Sequence, residues 1–276
     1  RMLHRDIRSC FSKSKGRFFS IMSLIALGSF ALVGLQVAGP DMRSTGTDYF
    51  DSLRLADISV IGDYGIDAEN RAAIDRTVGA ERIEYGYLKD VVIEGTGTSV
   101  RIFSATDGVS EYELTDGRMP EADGEIAVAS FLEGEYAIGD SFPVAEKADA
   151  AGNTVLRDHT PTIVGFVNSS ELLSKINMGQ STAGTGELGC YAVVTPDAFD
   201  SEVYMIARIR YSDMRGLDPY STEYSERVAA HKDELNALLA EQPQERLSAI
   251  RAEYQSRIDD AQAQIDEAKA KLSDAQ

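Results

Sequence analysis

The chain has 276 residues, 43% of them hydrophobic, enough for one large domain or two smaller ones with a packed core. Its net charge of −18 is uneven: Arg1, Arg5, Arg8, Lys13, Lys15 and Arg17 against Asp6 give residues 1–17 a balance of +5 and leave −23 to the rest. A body this acidic is a poor partner for nucleic acid, because that affinity rests on Lys and Arg neutralising phosphates; either anionic lipid repels it from the bilayer surface or the charge only keeps the domain soluble.

Residues 2–17 place Leu3, Ile7, Cys10 and Phe11 on one apolar stripe among bases. The stripe suits either a short helix lying in the cytoplasmic interface or a basic flank that only fixes topology. From Phe18 to Ala38 there are 21 uncharged residues. As a helix they span roughly 31 Å, the thickness of a bilayer's hydrocarbon. A cleaved signal has a shorter apolar region of about 7–15 residues, and a cut after Gly39 would leave Pro40 beside it. The expectation is therefore a retained transmembrane helix over 18–38. The bases ahead of it put residues 1–17 in the cytoplasm and residues 41–276 outside. Cys10 and Cys190 then lie on opposite sides and cannot pair. A chain that opens on Arg1 and ends at Gln276 within a helical repeat is expected to be a fragment of something longer.

After Pro40 the elements are short and mixed. Tyr49, Leu53 and Ala56 recur at helical spacing and lead into a strand at 57–62. Residues 65–79 read as a helix capped by Asp67, with Ile74 and Val78 inward and Gly79 as its stop. Residues 82–94 and 99–105 read as strands joined by a hairpin at Gly95-Thr96-Gly97-Thr98, and further strands are expected at 125–129, 160–167, 190–194 and 203–211. Thr195 reads as an N-cap with Pro196 at the first helical position, and the Gly/Ser/Thr-rich 179–189 as a mobile loop. Without regular strand–helix alternation, the fold class is α+β over 41–222.

Residues 114–142 carry the most information. Asp116-Gly117 permits a tight turn, Pro120 stiffens the loop, Glu125 starts a strand, Phe131 and Tyr136 can pack against it, and Gly139-Asp140 turns the chain again. The pattern Gly117, Arg118, Pro120, then Glu125 and Ile126, then Ile138, Gly139 and Asp140 resembles the extracytoplasmic core of FtsX-like and MacB-like ABC transporter permeases. Residues 57–62 with the helix and strand after them, residues 162–169, and the apolar helix with its basic flank resemble the same family. The resemblance implies a MacB-like periplasmic core in which these motif residues are structural and none is catalytic. It implies a cytoplasmic ABC ATPase subunit and a second permease subunit, the same or different, as partners, with membrane lipid around the apolar helix. An envelope protein or a cell-wall hydrolase is a further partner that it leaves open. Arg118 has two readings: an ion pair with a neighbouring carboxylate, which is commonplace, or a site for an acidic ligand.

From Glu223 onward helix formers dominate. Val228, Leu235 and Leu238 lead to Pro243, which ends or kinks one helix and can start another. Leu247, Ile250, Tyr254, Ile258, Ala261, Ile265, Ala268, Leu272 and Ala275 then form a heptad seam. One helix cannot bury this stripe alone. The expectation is a coiled-coil arm over 223–276, paired with a returning helix or, alternatively, with a second copy.

No P-loop, HExxH, CxxC or GxSxG pattern is present, and His4, His159 and His231 are scattered. No catalytic residue, metal or cofactor is expected. The chain reads as a membrane-embedded permease subunit whose separate cytoplasmic ATPase drives export or mechanotransmission through the outer domain and arm. The alternative is a single-pass anchored scaffold that binds another envelope protein.

Overall fold

The computed structural model describes residues 15–148 and 152–274. The stripe of Leu3, Ile7, Cys10 and Phe11 lies outside the described residues, as does Ala275 of the seam. The chain divides into two units, Arg1–Tyr49 and Phe50–Gln276.

Helix α1 (Lys15–Ser52) supplies nearly all that is described of the first unit. It is the one described helix long and apolar enough to cross a membrane. None of its residues is buried, and Phe30 and Leu35 are among its most exposed side chains. It does not stop at Pro40, which lies inside it. Proline removes one backbone donor there, yet the helix continues, and Thr45 and Thr47 donate their hydroxyls to the Asp41 and Arg43 carbonyls at 2.9 and 3.0 Å. The helical spacing read at 49–57 is thus the end of α1 followed by a turn.

The second unit contains two sheets. Strands β1 (Ile58–Ile66), β10 (Tyr204–Tyr211) and β2 (Ala80–Gly86) form an antiparallel sheet in the order β1-β10-β2. Helix α2 (Ala68–Ile74) lies between β1 and β2 in the chain. Asp67 caps it, its carboxylate accepting from the Glu69 and Asn70 amides. Ile74 is buried, but the helix ends there, and Val78, read as inward, is 72% exposed. Ile66, Ile74, Ala207, Ile209 and Leu235 share this sheet's core.

The other sheet is mixed, in the order β5-β8-β6-β9-β4-β3-β7. Its strands are β3 (Leu88–Ile93), β4 (Ser99–Ser104), β5 (Tyr112–Gly117), β6 (Glu125–Ala129), β7 (Val144–Ala145), β8 (Thr162–Ser169) and β9 (Cys190–Val194). β4–β9 and β6–β8 are parallel, and the remaining pairs antiparallel. β6 and β9 are almost wholly buried, as continuous apolar runs in a covered sheet must be, and β8 is buried at five of its eight positions.

Four local expectations need correction. The single strand read over 82–94 is two, β2 and β3, in different sheets. At the break Gly86 passes so close to β4 that a Cβ would lie 2.9 Å from the Ser104 hydroxyl, which accepts from the Tyr87 amide. β5 includes Asp116-Gly117, read as a turn. Thr195 precedes a 3-10 turn (Pro196–Ala198) and makes no side-chain cap; among the described residues its buried hydroxyl has no hydrogen-bond partner. Residues 179–189 fold back on themselves, with Ser181 N–H donating to Gly186 O at 2.9 Å and Leu188 N–H to Gly179 O at 3.0 Å.

Helices α3 (Thr222–Leu238) and α4 (Gln242–Asp274) close the described chain. Ser221 caps α3 by accepting from the Tyr224 amide at 3.1 Å. Pro243 sits in the first turn of α4, where its missing N–H has no intrahelical role.

Candidate functional site

The residues of the 117–140 motif converge on the first half of β8. Arg118 N–H donates to Val164 O at 3.0 Å, Gly139 N–H to Ile163 O at 2.8 Å, and Ile163 N–H to Asp140 O at 2.9 Å. β8 is irregular at this point: Ile126 faces Ile163 but Ala127 faces Gly165, which leaves Val164 as the extra residue of a bulge. A bulge frees a ladder carbonyl for another partner, and here that partner is Arg118.

Glycine is required on both sides of this contact. Gly117 has φ +74°, and a Cβ on it would overlap Val164 O and approach Ile138 Cδ1 to 2.8 Å. Opposite it, a Cβ on Gly165 would overlap Arg118 O and lie 2.9 Å from Asp116 O. Gly165 escaped the sequence reading because its need arises only when β5 lies against β8. Gly139 (φ +96°) faces open space.

Arg118 grips Glu125 with both terminal nitrogens, Nη1 reaching Oε2 at 2.7 Å and Nη2 bonding Oε1. Nη1 also donates to Met119 O at 3.1 Å. Glu125 Oε2 accepts from the Glu121 and Ala122 amides at 2.9 and 3.3 Å. The Arg118 hydrogen bonds, with the Glu121 amide behind them, push the Glu125 carboxyl down to about 2. Pro120 is buried within the loop so closed, and Ile126 is fully buried in the core. Asp140 Oδ2 accepts from the Ala137 amide at 2.8 Å, closing the 137–140 turn. These side chains brace a turn–strand junction.

Three further polar anchors carried no sequence signal. Arg208 is fully buried on β10, and its fork meets Glu171, just beyond β8, at 2.8 and 3.0 Å. The pair ties the two sheets together, with Phe103 under the guanidinium at 5.5 Å. Asp90 on β3 receives Arg101 at 2.6 and 2.8 Å and the Thr182 amide at 2.8 Å. Burial raises the Asp90 pKa, but the Arg101 and Thr182 hydrogen bonds outweigh it and hold the carboxyl below its ordinary value. Arg101 also donates to Gln180 O at 2.9 Å, so one ion pair pins the 179–189 segment to the sheet. The Glu146 carboxylate, with no exposed surface, meets Lys89 at 3.1 Å and His159 at 3.4 Å and accepts from the Val155 and Leu156 amides.

The helices are joined to the core by polar contacts as well. Tyr224 donates to Asp57 at 3.2 Å, and His231 stacks on Tyr211 at 3.7 Å beside Asp213. Arg246, in the second turn of α4, donates to Tyr64 O at 3.2 Å and lies 3.6 Å from Asp67. An apolar groove runs between the sheets, lined by Leu55, Ile61, Phe103, Leu173 and Ile206. Cys190 is a free, buried thiol that burial pushes up to about 12. Among the described residues no group of His, Cys, Asp and Glu could hold a metal ion.

No family model matches the chain, and no curated protein sequence matches it. Among solved structures it is similar to the extracellular domain of the noncanonic ABC-type transporter YknZ from Gram-positive bacteria. That match has 9% identity and a TM-score of 0.35, over 63% of this chain and 84% of the other. It is also similar to a domain of a permease protein from Porphyromonas gingivalis, at 16% identity and a TM-score of 0.30, over 60% and 71%.

Proposed function

We propose that this chain is the anchor and outer domain of a permease subunit that works with a separate cytoplasmic ATPase. One observation carries the reading. Over residues 18–38 a helix of membrane-spanning length carries Leu24, Leu27, Phe30 and Leu35 as exposed side chains. In water that exposure is costly; in hydrocarbon it is the stable arrangement. The α+β unit after it carries the braced 117–140 motif.

On this reading residues 1–17 are cytoplasmic, the unit beyond α1 is extracytoplasmic, and the helices from Thr222 onward form an arm rooted in the core through Tyr224, His231 and Arg246. ATP-driven approach of two permease subunits would move that arm, and the Arg208–Glu171 pair between the sheets would pass displacement through a base that resists shear. Export of a cargo and activation of an envelope partner both use such a lever.

The test is association with an ATPase. The full-length protein, extracted in mild detergent from its own cells, should co-purify with a polypeptide that a photoreactive ATP analogue labels in the presence of Mg²⁺. A correctly inserted protein that purifies with no ATP-labelled partner would contradict the proposal.

A further inference from the structure

The arm's flanks carry a charge pattern that its seam does not explain. With Ile258, Ile265 and Leu272 at the a positions and Tyr254, Ala261 and Ala268 at d, the positions bordering the seam (e and g) are Gln255, Arg257, Gln262, Gln264, Lys269 and Lys271. Three are bases, three are neutral amides, and none is an acid. Every acid from Glu253 to Glu267, namely Glu253, Asp259, Asp260, Asp266 and Glu267, falls at b or c, on the far side of the helix. In a chain of net charge −18 this segregation runs against the composition.

The helix's own contacts follow the same division. Gln255 and Gln262 each donate to an outer aspartate, Asp259 and Asp266, at 2.9 Å. Arg257 lies over the Tyr254 ring at 5.7 Å, beside the seam, and among the described residues no carboxylate forms a salt bridge with it. Lys269 is 3.8 Å from Asp266, but both side chains are mostly exposed, so the pair is weak. Tyr254, Ile258 and Ile265 are all exposed on the seam.

We infer that the arm docks a partner helix whose own flanking positions are acidic, and that a second copy of this chain is not that partner. A parallel second copy would set Arg257 against Gln262 and Gln264 against Lys269, forming no ion pair. An antiparallel copy pairs g with g and e with e, again basic or neutral against basic or neutral. A helix bearing Asp or Glu at those positions would give all three bases a carboxylate, while Ala261 and Ala268 let it approach closely. The inference rests on the arm reading above and adds the chemistry of what the arm binds.

The test uses the 276-residue chain in detergent and two synthetic 28-residue helices with one Ile/Ala seam, one carrying Glu and the other Lys at every e and g position. Fluorescence anisotropy should show the Glu peptide binding roughly tenfold tighter than the Lys peptide, the yield of three exposed ion pairs. Raised salt should shrink that gap. The triple variant R257Q/K269Q/K271Q should erase it while still binding both peptides. Equal binding of the two peptides, or salt-independent discrimination, would overturn the flank assignment and leave the coiled-coil arm standing. Binding of neither peptide would overturn the arm reading as well. Dimerisation of the chain that I258D/I265D abolishes would show that the seam pairs with itself and would also overturn the inference.

Discussion

Arg208 and Glu171 meet as fork and carboxylate, 2.8 and 3.0 Å apart, the arginine at the centre of the three-stranded sheet and the glutamate just beyond β8 of the seven-stranded one. Among the described residues Arg208 Nη1 has no hydrogen-bond partner, so Glu171 carries most of the burden of a fully buried charge.

Removing one member of such a pair strands the other. Glu171→Ala is expected to destabilise the protein by about 3 kcal/mol, and Arg208→Met in the same chain to recover much of that loss. Urea denaturation of the detergent-solubilised protein, followed by far-UV circular dichroism, reads both. A double variant as unstable as the single one would show that the two charges are uncoupled.

The glycines at the β5–β8 contact separate steric need from backbone need. Gly165→Ala and Gly117→Ala both drive a methyl group into backbone that cannot move aside, and each should cost more than about 3 kcal/mol or prevent folding. Gly139→Ala meets only the left-handed backbone penalty, about 1 kcal/mol, because nothing lies near its Cβ. Thermal melts of the three variants should rank in that order.

Acid should loosen the motif in a defined window. Glu125 has a folded pKa of about 2, below its ordinary value of 4.5. Its contribution to stability is therefore present above the ordinary carboxylate range and lost as pH falls through the folded value. Asp90 is lowered too and acts in the same direction. Stability measured from pH 5 down to pH 2 should decline, and Glu125→Gln should flatten part of that slope while leaving the curve above pH 6 parallel. An unchanged slope in the variant would refute the assignment.

Legibility in the sequence followed the range of the interaction concerned. Asp67 as a cap, Gly95 and Gly97 in the β3–β4 hairpin, and the apolar runs of β6, β8 and β9 are short-range features, and the structure has each where the pattern places it. The helical course of α4 is legible for the same reason. What escaped depends on partners far along the chain. Gly86 breaks a continuous β-rich run only because Ser104 crosses there. Gly165 matters only against Arg118, and residues 179–189 look free until Asp90 and Arg101 are placed beside them. Nothing near Arg208 or Glu146 in the sequence announces that their side chains are buried. In the motif itself the Gly139-Asp140 turn is readable, but the continuation of β5 through Asp116-Gly117 and the bulge at Val164 are not.

The central claim is the placement of the acidic unit across a membrane from the basic N-terminus. Val78→Cys in a Cys190→Ser background puts one exposed thiol on the outer unit and leaves Cys10 as the internal reference. A membrane-impermeant maleimide added to intact cells should label residue 78 at once and Cys10 only after permeabilisation. Labelling of Cys10 in intact cells, or protection of residue 78 until the membrane is opened, would contradict the account.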